Sequence, residues 1–294
     1  MMLIKRGGNF LAVLAVVALL SLALACGKKA DESAETGEGG APTVAKYTPT
    51  GNEGSVPGKV AYTGAVPEAR PIDMSADPVC AQRGQNAVAE TVKVKDGKLQ
   101  DVFVYIKDGQ TEDGKKINDF SFDAPAQEVV LDQQGCQYRP HVLGIQTGQK
   151  LSVTNSDPTT HNVHPTPKNN QEWNQSQTSG APPIVKTFSR PETLIPVKCN
   201  QHPWMKAYVG VLRHPFYAVT GEDGSYEIKG LPAGTYTVAA WHEKFGEKTM
   251  QVTVPAKGSA SADFTFAEGA ASNTLDGGSL KIMPALDLPM LGRH

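Results

Sequence analysis

The sequence predicts an all-β protein built of β-sandwiches, and three observations carry that prediction. Apolar residues between about 57 and 268 alternate with polar ones, the period-two pattern of half-buried strands. Turn-forming residues recur at intervals of about ten, the spacing of short strands in sandwiches. No long stretch carries the apolar stripe of an amphipathic helix.

In chain order, Val60 and Tyr62 begin the pattern, and residues 78–90 are expected to hold a short helix or a loop. Val102, Val104 and Ile106 share one strand face, and Val142, Leu143 or Ile145 another. Leu151 and Val153 follow. Tyr226 and Ile228 precede a turn from Gly230 to Gly234, after which Tyr236 and Val238 resume the alternation. Val252 with Val254, then Phe264 with Phe266, form the last two strands.

Composition sets the outer bounds. A chain of 294 residues suggests about two domains. Its 28 basic and 30 acidic side chains give a net charge of −2, without the basic excess expected of a nucleic-acid binder. Only 39% of residues are hydrophobic, and 29 glycines with 21 prolines point to many turns or to disordered flanks. Four cysteines are too few for a disulfide scaffold, so each needs its own explanation.

The flanks differ from the middle. Lys5 and Arg6 precede an uncharged run of 16 residues, Phe10 to Ala25, which is short of the ~20 apolar residues of a membrane span and ends in small residues like an export signal. Leu22-Ala23-Leu24-Ala25-Cys26 resembles a bacterial lipoprotein lipobox, although Ala23 stands where Leu is usual. The resemblance implies that residues 1–25 are a signal peptide and that Cys26 is acylated; Gly27 after it resembles an outer-membrane lipoprotein. An uncleaved N-terminal anchor is the alternative. Cleavage would remove two positive charges and no acids, leaving a mildly acidic chain in an oxidising compartment. Residues 26–56 have almost no large apolar side chains and are expected to be a flexible tether. Residues 269–294 are expected to be a disordered tail, although Leu280, Ile282 and Met283 could dock.

The chemistry is concentrated in two motifs. Cys199-Asn-Gln-His202-Pro-Trp-Met205 spaces a thiolate, an imidazole and a thioether by two residues each, so that one tight loop between strands can gather all three. Upstream lies Asn155-Ser-Asp157-Pro-Thr-Thr-His161-Asn162-Val163. Two imidazoles, a thiolate and a thioether form a soft donor set suited to copper in both oxidation states. Together with Tyr138–Ile145 and Thr147–Gln149, these motifs resemble the cupredoxins, the blue copper proteins, with a ligand loop similar to that of amicyanins.

The resemblance implies one type 1 copper, with His161, Cys199 and His202 as strong ligands and Met205 as a weak axial one. It also implies that the backbone of Asn162 steadies the cysteine sulfur. A sandwich that has lost its metal is the alternative. His164, three residues beyond His161, lies on the opposite face of a strand and is expected to face solvent or to support the site. Trp204 belongs either to an apolar patch for electron exchange or to the core. With Cys26 acylated and Cys199 on copper, Cys80 and Cys136 remain to form a disulfide; the alternative is that one of them is a further ligand or a reactive thiol.

Thr220-Gly-Glu-Asp-Gly224-Ser-Tyr226-Glu-Ile228, continuing to Val238, resembles a carboxypeptidase regulatory-like domain, a transthyretin-like sandwich. The segment is too short for a whole sandwich. The expected organisation is therefore a cupredoxin Greek-key sandwich over 126–212, inserted into a second sandwich made of 57–125 and 213–268. Two consecutive domains are the alternative. No zinc peptidase motif, nucleophile elbow or paired His-x-His motif is present, so no enzymatic activity is expected.

The leading functional expectation is a membrane-tethered, periplasm-facing or cell-surface electron carrier that exchanges electrons with a redox protein such as a cytochrome or dehydrogenase. A copper-handling lipoprotein without electron transfer and a metal-free structural or carbohydrate-binding surface protein are the other readings.

Overall fold

A computed structural model describes residues 44–268; Cys26, the expected signal peptide and the expected tail lie outside the described residues. Among the described residues the fold is all-β apart from one short α-helix and one 3-10 turn, as the alternating pattern predicts. Among the described residues no helix is long and apolar enough to cross a membrane.

Two pairs of sheets account for nearly all strands. In the first pair, a four-stranded sheet runs Ile184–Thr187, Lys150–Asn155, Val129–Gln133, Tyr138–Arg139. It is joined by a five-stranded sheet in the order Gln175–Gln177, His161–Pro165, Glu192–Lys198, Lys206–Leu212, Val142–Gln146. Leu131, Leu151, Val153, Val163, Ile195, Val197 and Val209 fill the core of this sandwich.

In the second pair, Tyr217–Val219, Phe103–Thr111, Gly234–His242 and Gly246–Val254 form one sheet. The other contains Ser225–Leu231, Gly54–Thr63, Lys98–Leu99 and Val94–Lys95, with Phe264–Ala267 also paired to Gly54–Thr63. Val60 lies opposite Phe264, and Val104 opposite Ala218 and Ala240, so strands from both ends of the chain share these sheets. The hairpin at Asp96-Gly97 closes with both residues at positive φ (51° and 71°), the two-residue turn whose twist matches the flanking strands.

One strand serves both sandwiches. Val102, Val104 and Ile106 enter the core of the second sandwich, while Phe103 and Tyr105 pack on the first with Val142, Leu194, Leu212 and Ala239. Two glycines admit those rings. Gly144 and Gly210 lie opposite each other on parallel strands, and a Cβ would meet the Tyr217 ring at 2.2 Å from Gly144 or the Phe103 ring at 2.4 Å from Gly210. A bulge between Glu192 and Ile195, with Leu194 at φ 56°, turns Leu194 into this interface and leaves Ile195 in the first core.

The tether expected over 26–56 does not reach residue 56. Ala45–Lys46 pairs in parallel with Phe120–Ser121, and the Tyr47 ring packs on Phe120 and Phe122 with centroids 5.6 and 5.1 Å away. Glu53 then accepts hydrogen bonds from the Tyr47 hydroxyl (2.7 Å) and the Gly51 N–H (3.0 Å). One aromatic anchor and one carboxylate thus order a segment whose composition alone lacks apolar content.

A buried ion pair also joins the two sandwiches. His141 Nε2 lies 2.6 Å from Glu243 Oε1, His141 Nδ1 lies 3.0 Å from the Lys206 carbonyl, and the Tyr208 hydroxyl donates to Glu243 Oε2 at 2.9 Å. Burial is the largest single influence and works against both charges, but the mutual hydrogen bond and charge attraction, with Asp101 and Glu90 acting on His141 and the Tyr208 hydroxyl acting on Glu243, together outweigh it, raising the His141 pKa and lowering that of Glu243. The His141 contribution to stability is fully present below its unfolded value of about 6.5 and is lost as pH rises through the raised folded value. The Glu243 contribution is present above about 4.3 and is lost as pH falls through its depressed folded value. Glu243→Gln is therefore expected to cost most between about pH 4.3 and 6.5, on the order of 3–5 kcal/mol, with a smaller loss on either side. Urea denaturation of both proteins from pH 4 to 9 measures this, and a pH-independent difference would argue against the ion pair.

Candidate metal centre

Three segments bring the sequence-predicted ligands together. The strand His161–Pro165 opens with His161, the strand Glu192–Lys198 ends one residue before Cys199, and the strand Lys206–Leu212 begins one residue after Met205. The intervening loop is closed by the Cys199 N–H donating to the Met205 carbonyl (3.3 Å) and the Met205 N–H to the His202 carbonyl (2.9 Å). A seven-residue hairpin end thereby presents Cys199 and His202 toward the neighbouring strand that carries His161.

At this point His161 Nδ1 and His202 Nδ1 are 2.8 Å apart, and Cys199 Sγ is 3.6 Å from His202 Nδ1. The Asn162 N–H donates to Cys199 Sγ at 3.4 Å, while its side-chain oxygen accepts from the Asn200 N–H, fastening the ligand loop to the strand. His161, Cys199, His202 and Met205 are 0, 2, 4 and 0% exposed, so the site is closed to bulk water. Met205 packs in the same core as Cys199.

The outer ring nitrogens are occupied by carboxylates. His161 Nε2 faces Asp157 Oδ2 at 2.9 Å, and that carboxylate also accepts the N–H groups of Gly135 and Cys136, each at 2.8 Å. His202 Nε2 faces Asp77 Oδ2 at 3.2 Å. With each Nε2–H directed at a carboxylate, both Nδ1 atoms point inward, where they can share a proton or hold a cation.

Burial disfavours a charged His161 ring, but Asp157 and then Cys199 outweigh it and lift its pKa to about 9. Burial, and then the neighbouring His161, push His202 down. Burial raises the Cys199 thiol, yet His161 and the N–H groups of Asn162, His202 and Gln201 together hold it below the usual thiol value. A metal cation entering here would bind the Cys199 sulfur as a thiolate and displace the proton held between the inward imidazole nitrogens.

Cys80 and Cys136 form a disulfide and cannot act as thiolate ligands, although Cys80 Sγ lies 3.9 Å from His202 Nε2. Cys199 is the one free cysteine among the described residues. His164 points away from the cluster, with its ring nitrogens near Asn200 Oδ1 (3.1 Å) and Glu172 Oε1 (2.5 Å). Trp204 is half-buried. Its ring lies 5.1 Å from that of His202, its Nε1–H donates to the Cys136 carbonyl at 3.0 Å, and it packs against Met74 and the disulfide. Asp77 was not among the expected site residues. Asp77-Pro78 is legible as a helix start, but nothing in the sequence links it to a histidine 125 residues away.

Comparison with known proteins gives partial matches. The carboxypeptidase regulatory-like domain family matches residues 200–267, less than half of the chain. No curated relative matches the sequence. Among solved structures, a copper-containing nitrite reductase from Thermus scotoductus SA-01 is similar at 19% identity and a TM-score of 0.28, over 30% of this chain and 23% of that one. A mutant of amicyanin in the Cu(I) state is similar at 21% identity and TM-score 0.26, over 29% of this chain and 81% of that one. A purple cupredoxin from Nitrosopumilus maritimus is similar at 21% identity and TM-score 0.25, over 30% of this chain and 99% of that one. At such scores these likenesses carry no argument about chemistry, which rests on the donor geometry.

Proposed function

We propose that the chain is an exported, membrane-tethered copper protein that carries electrons through one type 1 site, with His161, Cys199 and His202 as strong ligands and Met205 as the weak axial one. The observation that carries this reading is the convergence of two imidazole Nδ1 atoms and a thiol sulfur at one buried point, with both outer nitrogens already held by carboxylates. The soft nitrogen and sulfur donors fit copper better than magnesium or calcium, which take oxygen ligands. Copper held there would supply the one-electron chemistry by alternating between Cu(I) and Cu(II).

The protein's own part is to orient and to insulate. Asn162 steadies Cys199, Asp157 and Asp77 turn the rings, and the two-sheet core keeps His161 and the loop in register. A ligand set fixed before the electron arrives needs little reorganisation when it does. A lipid on Cys26 would tether the chain to a membrane at the outer-membrane, periplasm-facing or cell-surface side, where a cytochrome or dehydrogenase is the expected class of partner. An enzymatic role is not part of the proposal.

Titrating the metal-free chain with Cu(II) tests the reading. One equivalent is expected to produce an intense visible thiolate-to-copper absorption that bleaches reversibly on reduction. Colourless, reversible Cu(I) binding would instead support a copper-handling role, and a folded chain without copper affinity would remove both.

A further inference from the structure

The loop that carries His202 is a surface loop, with Asn200, Gln201 and Pro203 exposed, yet His202 itself is only 4% exposed. What covers it comes from far upstream. Pro71 and Val88 form a bridge, the Ile72 N–H donates to the Ala87 carbonyl (2.9 Å), and the Ala89 N–H donates to the Arg70 carbonyl (2.8 Å). The segment between them is thus closed at its base, and it holds the helix Pro78–Arg83 with Asp77 as its N-cap. The Cys80–Cys136 disulfide pins this cap to the first sandwich.

The Asp77 carboxylate is fixed on several sides. Its Oδ1 accepts the N–H groups of Val79 (2.8 Å) and Cys80 (3.1 Å), and its Oδ2 accepts the Thr159 hydroxyl (3.1 Å) while facing His202 Nε2 (3.2 Å). Thr159 stands two residues before His161, so one carboxylate touches both segments that supply imidazoles.

We propose that Asp77 is a positioning residue of the copper site: it fixes the His202 ring with Nδ1 inward and, as a second carboxylate beside that of Asp157, favours the more highly charged metal ion. The proposal rests on the copper reading above. A carboxylate on the outer nitrogen of a ligating histidine sets its tautomer and orientation and raises its basicity, and removing such a partner typically costs about 10–100-fold in metal affinity. Loss of the negative charge weakens Cu(II) more than Cu(I). Each tenfold change in that ratio raises a one-electron reduction potential by about 59 mV.

Helix capping and ring positioning can be separated by the choice of variant. Asp77→Ser keeps an oxygen able to cap the helix, but it is shorter than a carboxylate and uncharged. Asp77→Asn keeps the shape and removes the charge. Both are expected to bind Cu(II) about 10–100-fold more weakly, with a raised reduction potential. In the metal-free protein, nitrogen NMR of the imidazoles should show the proton of His202 confined to Nε2 in the wild type and distributed over both nitrogens in Asp77→Ser. Asp73→Asn, an exposed acid in the same cap, should change none of these. If Asp77→Ser and Asp77→Asn match the wild type in Cu(II) affinity, potential and His202 tautomer, the proposal is overturned and Asp77 only caps its helix. If the wild type itself shows no thiolate-to-copper absorption, the copper reading fails first; the tautomer measurement on metal-free protein still decides whether Asp77 orients the ring.

Discussion

Cys199→Ser is expected to abolish the visible absorption of the copper-loaded protein and to lower copper affinity by more than the ~10–100-fold that loss of an outer-sphere partner costs. The reason is electronic before it is geometric. A serine hydroxyl has nearly the size of the thiol and can occupy the buried place beside the Asn162 N–H, but it is a harder donor and is not ionised at neutral pH. Cys199 is prepared for ionisation, because His161 and three backbone N–H groups offset the cost of burying its charge. Absorption titration with copper, together with competition against a chelator, gives both results in one experiment. A Cys199→Ser protein with an undiminished band would place the chromophore elsewhere and end the type 1 assignment.

Removing the Cys80–Cys136 bond is expected to cost stability on the same scale as breaking the His141–Glu243 pair. The two cysteines are 56 residues apart, and on the chain-entropy account a closed loop of that length contributes about 4 kcal/mol by restricting the unfolded chain. The bond closes a loop that contains the shared strand Phe103–Thr111 and also Val129–Gln133 of the first sandwich, so its entropy bears on both cores. The double variant Cys80→Ala/Cys136→Ala should unfold at a correspondingly lower denaturant concentration, and its thermal midpoint should fall by roughly 8–16 °C, at about 2–4 °C per kcal/mol for a chain of this size. Denaturation monitored by tryptophan fluorescence reads this, helped by the contact of Trp204 with the bond. An unchanged midpoint would show that the segment between the cysteines is already restricted in the unfolded chain.

What could be read from the sequence divides along the range of the interactions. Alternation is local, so the all-β fold and strands such as Tyr226–Ile228 and Val252–Val254 were legible from the pattern alone. The spacing of Cys199, His202 and Met205 was legible for the same reason, since one short loop carries all three. Contacts between distant segments left no periodic mark. Val102, Val104 and Ile106 read as one face of a half-buried strand, but the other face, Phe103 and Tyr105, meets a second sheet admitted by two glycines. Tyr47 ordered a stretch that composition assigned to a tether, because a single ring was enough to dock it. Trp204 could be read either way, and the disulfide that settles its packing lies across the fold. Asp77 joined the site through a cap that only tertiary structure places over His202.

The doubly buried strand has a consequence for the freedom of the sequence to change. In a strand with one wet face, every second position can drift with little penalty, and substitutions accumulate in a comb-like pattern. From Val102 to Ile106 that freedom is absent: all five consecutive side chains are at most 4% exposed, and they alternate between two different cores. A change that suits one sandwich leaves the neighbouring positions answering to the other, so this short block can diverge only together with partners on both sides of it.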